Sequence, residues 1–174
     1  MKYLKVYLLS FFLLLNYLKA NSSDNINDIK SLLEGRYELV YWKQDNLKFN
    51  YPQIAGTLVV KDNKISFTLD SNMTENESLK IIGWGNYNLS VNEYNYGYFD
   101  FKKMTDNGTD IKVNKTLPWQ GMRKYSVLLK NDKLLLTSLT GKQTWQLDKK
   151  SLIYTDKEWG TDKKEVIRYW KRIN

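Results

Sequence analysis

The chain has 174 residues, with 27 Lys and Arg against 19 Asp and Glu, no His and no Cys, for a net charge of +8. Without His there can be no Ser–His–Asp triad, imidazole proton relay or imidazole metal ligand. Without Cys there is no thiol nucleophile, thiolate zinc site or disulfide, so stability must come from packing.

Residues 1–20 begin Met1-Lys2-Tyr3-Leu4-Lys5, run apolar from Val6 to Leu15 and end Asn16-Tyr17-Leu18-Lys19-Ala20. A basic start, a short apolar core and a small residue at the end form the pattern of a signal peptide, cut after Ala20. Leu18 is larger than the small residue preferred at that place. The alternative is an uncleaved N-terminal anchor, which would be the only membrane contact expected. No Cys follows, so a lipid-modified cysteine is excluded. The expected location is therefore secreted or periplasmic. Removing Lys2, Lys5 and Lys19 takes the net charge from +8 to +5. The remaining charge is scattered, in single residues and doublets such as Lys149-Lys150 and Lys163-Lys164. No basic stripe of the kind nucleic acid requires is present, so no nucleic-acid partner is expected. Asn-x-Ser/Thr sites occur at Asn21, Asn72, Asn76, Asn88, Asn107 and Asn114. A bacterial envelope protein is the first reading of source, and a secreted eukaryotic one the second.

Residues 21–31 form a polar lead-in segment. Ile26, Ile29, Leu32 and Leu33 recur at helical spacing, which predicts a short helix over 26–33 that could plug one end of a barrel. Strands follow. Tyr37, Leu39 and Tyr41 alternate with polar or outward positions, the period of a half-buried strand. Residues 55–61 and 64–70 form a hairpin turning at Asp62-Asn63, with Gly56, Leu58, Val60, Ile65, Phe67 and Leu69 on one face. Residues 71–79 read as a polar loop. A second hairpin over 80–91 and 94–102 puts Ile81, Gly83, Gly85, Tyr87 and Leu89 on one side and Tyr94, Tyr96 and Tyr98 on one side of its partner. Residues 103–121 read as a long polar loop. Strands are then predicted at 122–130, 133–138, 142–147, 151–155 and 164–172. The pattern specifies an all-β domain over 32–173, an antiparallel up-and-down barrel of about 8–10 strands, or a sandwich.

The segment Leu33-Glu34-Gly35-Arg36-Tyr37-Glu38-Leu39-Val40 resembles the first strand of a lipocalin-like domain. Ile54-Ala55-Gly56-Thr57-Leu58-Val59-Val60, Asp62-Asn63-Lys64-Ile65-Ser66-Phe67, Gly83-Trp84-Gly85-Asn86-Tyr87 and Arg168-Tyr169-Trp170-Lys171-Arg172 are similar to stretches of the bacterial lipocalin-like subgroup. Tyr37 stands where that family has Trp. The resemblance implies a barrel closed structurally by Gly35 and Tyr37, with Arg168 or Arg172 packed over the ring through a cation–π contact.

No spacing brings a carboxylate pair together, so no catalytic residue is expected. Asp106-Asn107-Gly108-Thr109-Asp110 is too short for a calcium loop and reads as a turn. No cofactor or metal is expected. The aromatic residues suit either core filling or a cavity wall. Tyr41, Phe67, Trp84, Tyr87, Tyr94, Tyr96, Tyr98, Trp119, Tyr125 and Trp145 are the candidate ligand-binding residues, with Trp119 beside Pro118 as a possible lid. The expected function is noncatalytic binding of a small lipophilic or amphipathic molecule. The alternatives are a barrel-type isomerase or cyclase, and a surface module using exposed Tyr and Trp to bind carbohydrate or protein.

Overall fold

The computed structural model describes residues 25–74 and 77–173. The signal-peptide expectation, residues 1–20, lies outside the described residues. A helix, α1, covers residues 25–33. Twelve strands follow among the described residues: β1 (Gly35–Gln44), β2 (Leu47–Asn50), β3 (Ile54–Lys61), β4 (Lys64–Thr74), β5 (Glu77–Leu89), β6 (Glu93–Asp106), β7 (Ile111–Asn114), β8 (Arg123–Lys130), β9 (Lys133–Ser138), β10 (Gln143–Leu147), β11 (Ser151–Trp159) and β12 (Lys164–Ile173).

Ten of them close a ring in the order β1-β3-β4-β5-β6-β8-β9-β10-β11-β12, every neighbour antiparallel. The ring shuts where β12 returns to β1, from Arg36 opposite Ile173 to Gln44 opposite Val166. Closure removes the exposed edges that an open sheet would offer. β2 and β7 are short additions, β2 on β1 and β7 on β6. The chain is thus an all-β, up-and-down antiparallel barrel with one short helix, at the upper end of the expected strand number. Two expected loops contain strand: β4 and β5 cover most of 71–79, and the stretch 103–121 contains the end of β6 and all of β7. Ladder pairing satisfies the backbone there whatever the side chains, so polarity misled. Asp62-Asn63 and Asn131-Asp132 carry φ values of 49°, 61°, 52° and 56°. Both central residues are left-handed, as the tight hairpin turns that match strand twist require.

The ladders contain four register shifts among the described residues, one of them near the end of β4 between Ser71 and Thr74; the other three reset which side chains face the lumen. In β1, Leu39 pairs Trp170 and Tyr41 pairs Tyr169, leaving Val40 as the extra residue. In β6, the shift between the pairs Trp84–Asp100 and Gly85–Tyr98 leaves Phe99 extra and 61% exposed. In β11 the register slips between Asp156 and Trp159. A bulge of one residue swaps the inward and outward sets beyond it. Past each of these three shifts an aromatic side chain points in: Trp42, Phe101 and Trp159.

The barrel end nearest α1 is solid. Ile29, Leu32 and Leu33 of the helix are buried against Tyr37, Tyr87, Tyr94 and Tyr125, all nearly inaccessible. The last carbonyls of a helix lack partners within it. Here the barrel supplies them. The Tyr37 hydroxyl donates to the Leu32 and Leu33 carbonyls, both at 3.0 Å. Arg172 Nη2 donates to the Ser31 carbonyl at 2.9 Å and to that of Glu34. Gly35 leaves room for that guanidinium, since a Cβ there would lie 2.7 Å from Arg172 Nε.

The wall is interrupted at two places. β1 pairs β3 only over Gly35–Glu38, and its Tyr41–Gln44 end pairs β2 instead. β6 pairs β8 only over Glu93–Tyr96 and β7 only over Lys103–Asp106, so residues 97–102 have no strand partner on that edge. The connection between β7 and β8 runs alongside. A Cβ on Gly97 would lie 2.5 Å from the Gly121 carbonyl oxygen, so glycine is needed for this approach.

Candidate functional site: a cavity in the barrel lumen

The half of the lumen away from α1 encloses a cavity of about 130 Å³, roughly ten times what one water needs on this measure. Its wall is mainly apolar and aromatic. β3 and β4 contribute Leu58, Phe67 and Leu69, β5 Ile81, and β6 Tyr96, Tyr98 and Phe101. Trp119 and Pro118 come from the β7–β8 connection, and Trp145, Leu152, Tyr154, Trp159 and Trp170 from the last three strands. Two guanidinium groups, Arg123 and Arg168, also line it, and no Asp, Glu or Lys does.

The aromatic wall is continuous. Tyr96 packs on Tyr98 at 5.8 Å and on Trp145 at 5.5 Å between ring centres. Trp119 lies 5.0 Å from Tyr98 and 5.5 Å from Tyr96, mostly edge to face. The Arg123 guanidinium stacks on the outer partner of this set, 3.8 Å from the Trp119 ring centre. Arg123 Nη1 also donates to Gln143 Oε1 at 3.1 Å, which accepts the Tyr125 hydroxyl at 2.8 Å. Gln143 Nε2 in turn donates to Asp156 Oδ2 at 2.7 Å, and the Tyr154 hydroxyl donates to the same oxygen at 3.0 Å. The Glu158 backbone N–H donates to Asp156 Oδ1 at 3.0 Å. Asp156 therefore accepts three hydrogen bonds behind the wall.

Arg168 is placed otherwise. Its guanidinium carbon lies 4.0 Å from the Trp42 ring, 4.3 Å from Trp159 and 5.2 Å from Tyr154. These rings face the cation but accept no ordinary hydrogen bond. Nε and Nη2 are both buried with no partner. A buried unpaired donor costs about 1–3 kcal/mol, and more when charged. Burial lowers the Arg168 pKa, opposed by Tyr154, Tyr98, Tyr96 and Asp156; an arginine nevertheless keeps its proton in proteins. The tyrosines respond conversely. Burial raises Tyr98, with Arg168 opposing, and raises Tyr154, with Arg168 opposing and Asp156 adding. Tyr96 is likewise raised by burial. These hydroxyls stay protonated.

Of the ten residues expected to bind, Phe67, Tyr96, Tyr98, Trp119 and Trp145 are brought together at the cavity. The other five are not. Strict alternation put Tyr41 inside, but the Val40 bulge turns it outward, where it stacks on Tyr169 at 5.3 Å. Trp84 is on the outer face, 40% exposed. Tyr87, Tyr94 and Tyr125 face inward but fill the core nearer α1 rather than lining the cavity. Arg168 was expected as a barrel-closing partner of Tyr37. Arg172 takes that place, 5.7 Å over the Tyr37 ring. Four residues along one strand is about 13 Å, so Arg168 shares the inward face but sits at the cavity. Sequence reasoning missed Arg123, Phe101, Tyr154 and Trp159. The inward period of β11 could have found Tyr154; the others depend on register. Among the described residues no group of three or more acidic side chains is placed to hold a metal ion. In the turn after β6, Asp106 Oδ1 accepts the Gly108 N–H and Asn107 Oδ1 the Asp110 N–H, both at 2.8 Å, so these oxygens serve their own backbone.

The chain matches no protein-family model, and no curated protein or solved structure shows significant similarity to it.

Proposed function

We propose that this chain is an exported, noncatalytic binding protein that holds a small lipophilic or amphipathic molecule in the barrel lumen. The observation that carries the reading is the partly enclosed cavity, walled by aromatic and aliphatic side chains at the end opposite the helix plug. Ligand sites are characteristically concave, mostly apolar and marked by a few polar groups. The lining has no Asp, Glu or Lys, and its tyrosines hold their protons firmly. Both features favour binding over acid–base chemistry. Export rests on the basic start and apolar run of residues 1–20, and a lipocalin-like relationship is compatible with a closed antiparallel barrel.

Tryptophan emission titrated with short fatty acids, fatty alcohols and isoprenoid alcohols tests the reading, since Trp119, Trp145, Trp159 and Trp170 all line the cavity. Saturable changes are expected, and they should disappear in Ile81→Trp, which fills the lumen. Binding that survives this filling, or no response to any member of the panel, would overturn the proposal.

A further inference from the structure

The geometry points to a ligand with a carboxylate head, received by the Nε and Nη2 edge of Arg168 while an apolar body lies in the aromatic half of the cavity. This rests on the lumen-binding reading and names its ligand class. Nε and Nη2 form the side-on fork of a guanidinium, two parallel N–H groups that match the two oxygens of a carboxylate. They are the two guanidinium atoms that are buried and unpaired. The Trp42 and Trp159 rings occupy the neighbourhood of the cation without offering an acceptor.

The rest of the cavity is short of acceptors too. Trp119 Nε1 is buried without a partner, as is Trp145 Nε1, which lies close to the Tyr125 hydroxyl but outside hydrogen-bond geometry. Every fully buried polar atom without a partner on the lining is thus an N–H donor. Among the described residues no carboxylate oxygen comes within 4.0 Å of Arg168. Asp156, whose field opposes the lowering of the Arg168 pKa, already accepts three hydrogen bonds. The bulges contribute here. Strict alternation in β6 and β11 would have aimed Asp100 and Glu158 into the lumen; the shifts put Phe101 and Trp159 there instead. Two guanidinium groups against one carboxylate leave the site with net positive charge. A ligand of about ten non-hydrogen atoms suits its size. The Arg168 edge is covered by rings, so a carboxylate reaches it by displacing an aromatic neighbour.

Octanoate and octan-1-ol share one chain and differ in the head, and each is titrated against the full-length purified protein by tryptophan emission. Octanoate is expected to bind at least about tenfold more tightly, as a hydrogen-bonded charge implies. Arg168→Met should abolish that preference while leaving octanol binding in place. Equal or tighter octanol binding to the wild-type protein would overturn the carboxylate assignment and leave the cavity reading standing. A preference retained in Arg168→Met would also overturn it, by placing the anion elsewhere. If neither compound binds, the lumen reading itself falls. The wild-type comparison decides even if the variant does not fold.

Discussion

At the scale of single residues, polar atoms at the two ends of the barrel have opposite fates. At the helix end Tyr37 and Arg172 meet carbonyls that α1 leaves unpaired. Tyr37→Phe keeps the ring and removes the hydroxyl from two buried acceptors. It should lower stability by about 1–2 kcal/mol, read as a reduced urea midpoint with an unchanged slope. An unaltered midpoint would show that the hydroxyl is not what fastens the helix. At the cavity end Arg168 meets no acceptor. Sequence reading could place both arginines on one inward face of β12. It could not tell them apart, because the difference is made by what other strands bring opposite each one.

At the scale of elements, the period of two was legible and the interruptions were not. Leu58, Val60, Ile65 and Leu69 face the core as their alternation required, and the turns at Asp62-Asn63 and Asn131-Asp132 were visible in their residues. Nothing within a run such as Leu39-Val40-Tyr41-Trp42 marks which residue a partner strand will leave out, so the bulges at Val40 and Phe99 were invisible. β2 and β7 were missed for a related reason: they are four residues long and mostly exposed, and their pairing partner alone makes them strands. The bulge in β1 makes a sharp prediction. Trp42 is 3% exposed and Tyr41 lies outside. Trp42→Ala should cost about 3–5 kcal/mol, and Tyr41→Ala about 1 kcal/mol or less. Thermal or chemical unfolding of the two variants measures this, and strict alternation demands the reverse order.

At the scale of the whole molecule, tyrosine dominates the response to alkali. Burial raises the pKa of Tyr37, Tyr87, Tyr94, Tyr96, Tyr98, Tyr125 and Tyr154, that of Tyr37 to about 12 from an ordinary 10.0. A pKa higher in the folded than in the unfolded chain means that the folded state holds protons the unfolded state has lost. The stability is therefore fully present below pH 10 and falls as pH rises from there through the raised values. Phenolate absorbance should show the buried set ionising only above pH 10, together with loss of circular dichroism. Simple titration of all 13 tyrosines near pH 10, with the fold retained, would contradict the buried arrangement. The overall architecture was readable because it follows from strand count, turn chemistry and absent helices. The cavity was only half readable, since a volume is what packing leaves over.

The unpaired stretch 97–102 of β6 gives the cylinder a seam. A second gap lies between β1 and β3, where β2 takes over the edge of β1 beyond Glu38; at the other joins, parting two strands means breaking a ladder. Along the seam the barrel is closed by the β7–β8 connection, with Trp119 leaning on Tyr96 and Tyr98 and Gly121 resting on Gly97. Displacing that connection opens a path to the lumen without breaking strand pairing along 97–102. The residence time of anything inside is then set by the departure of one short segment, and a very stable barrel can still exchange its contents quickly.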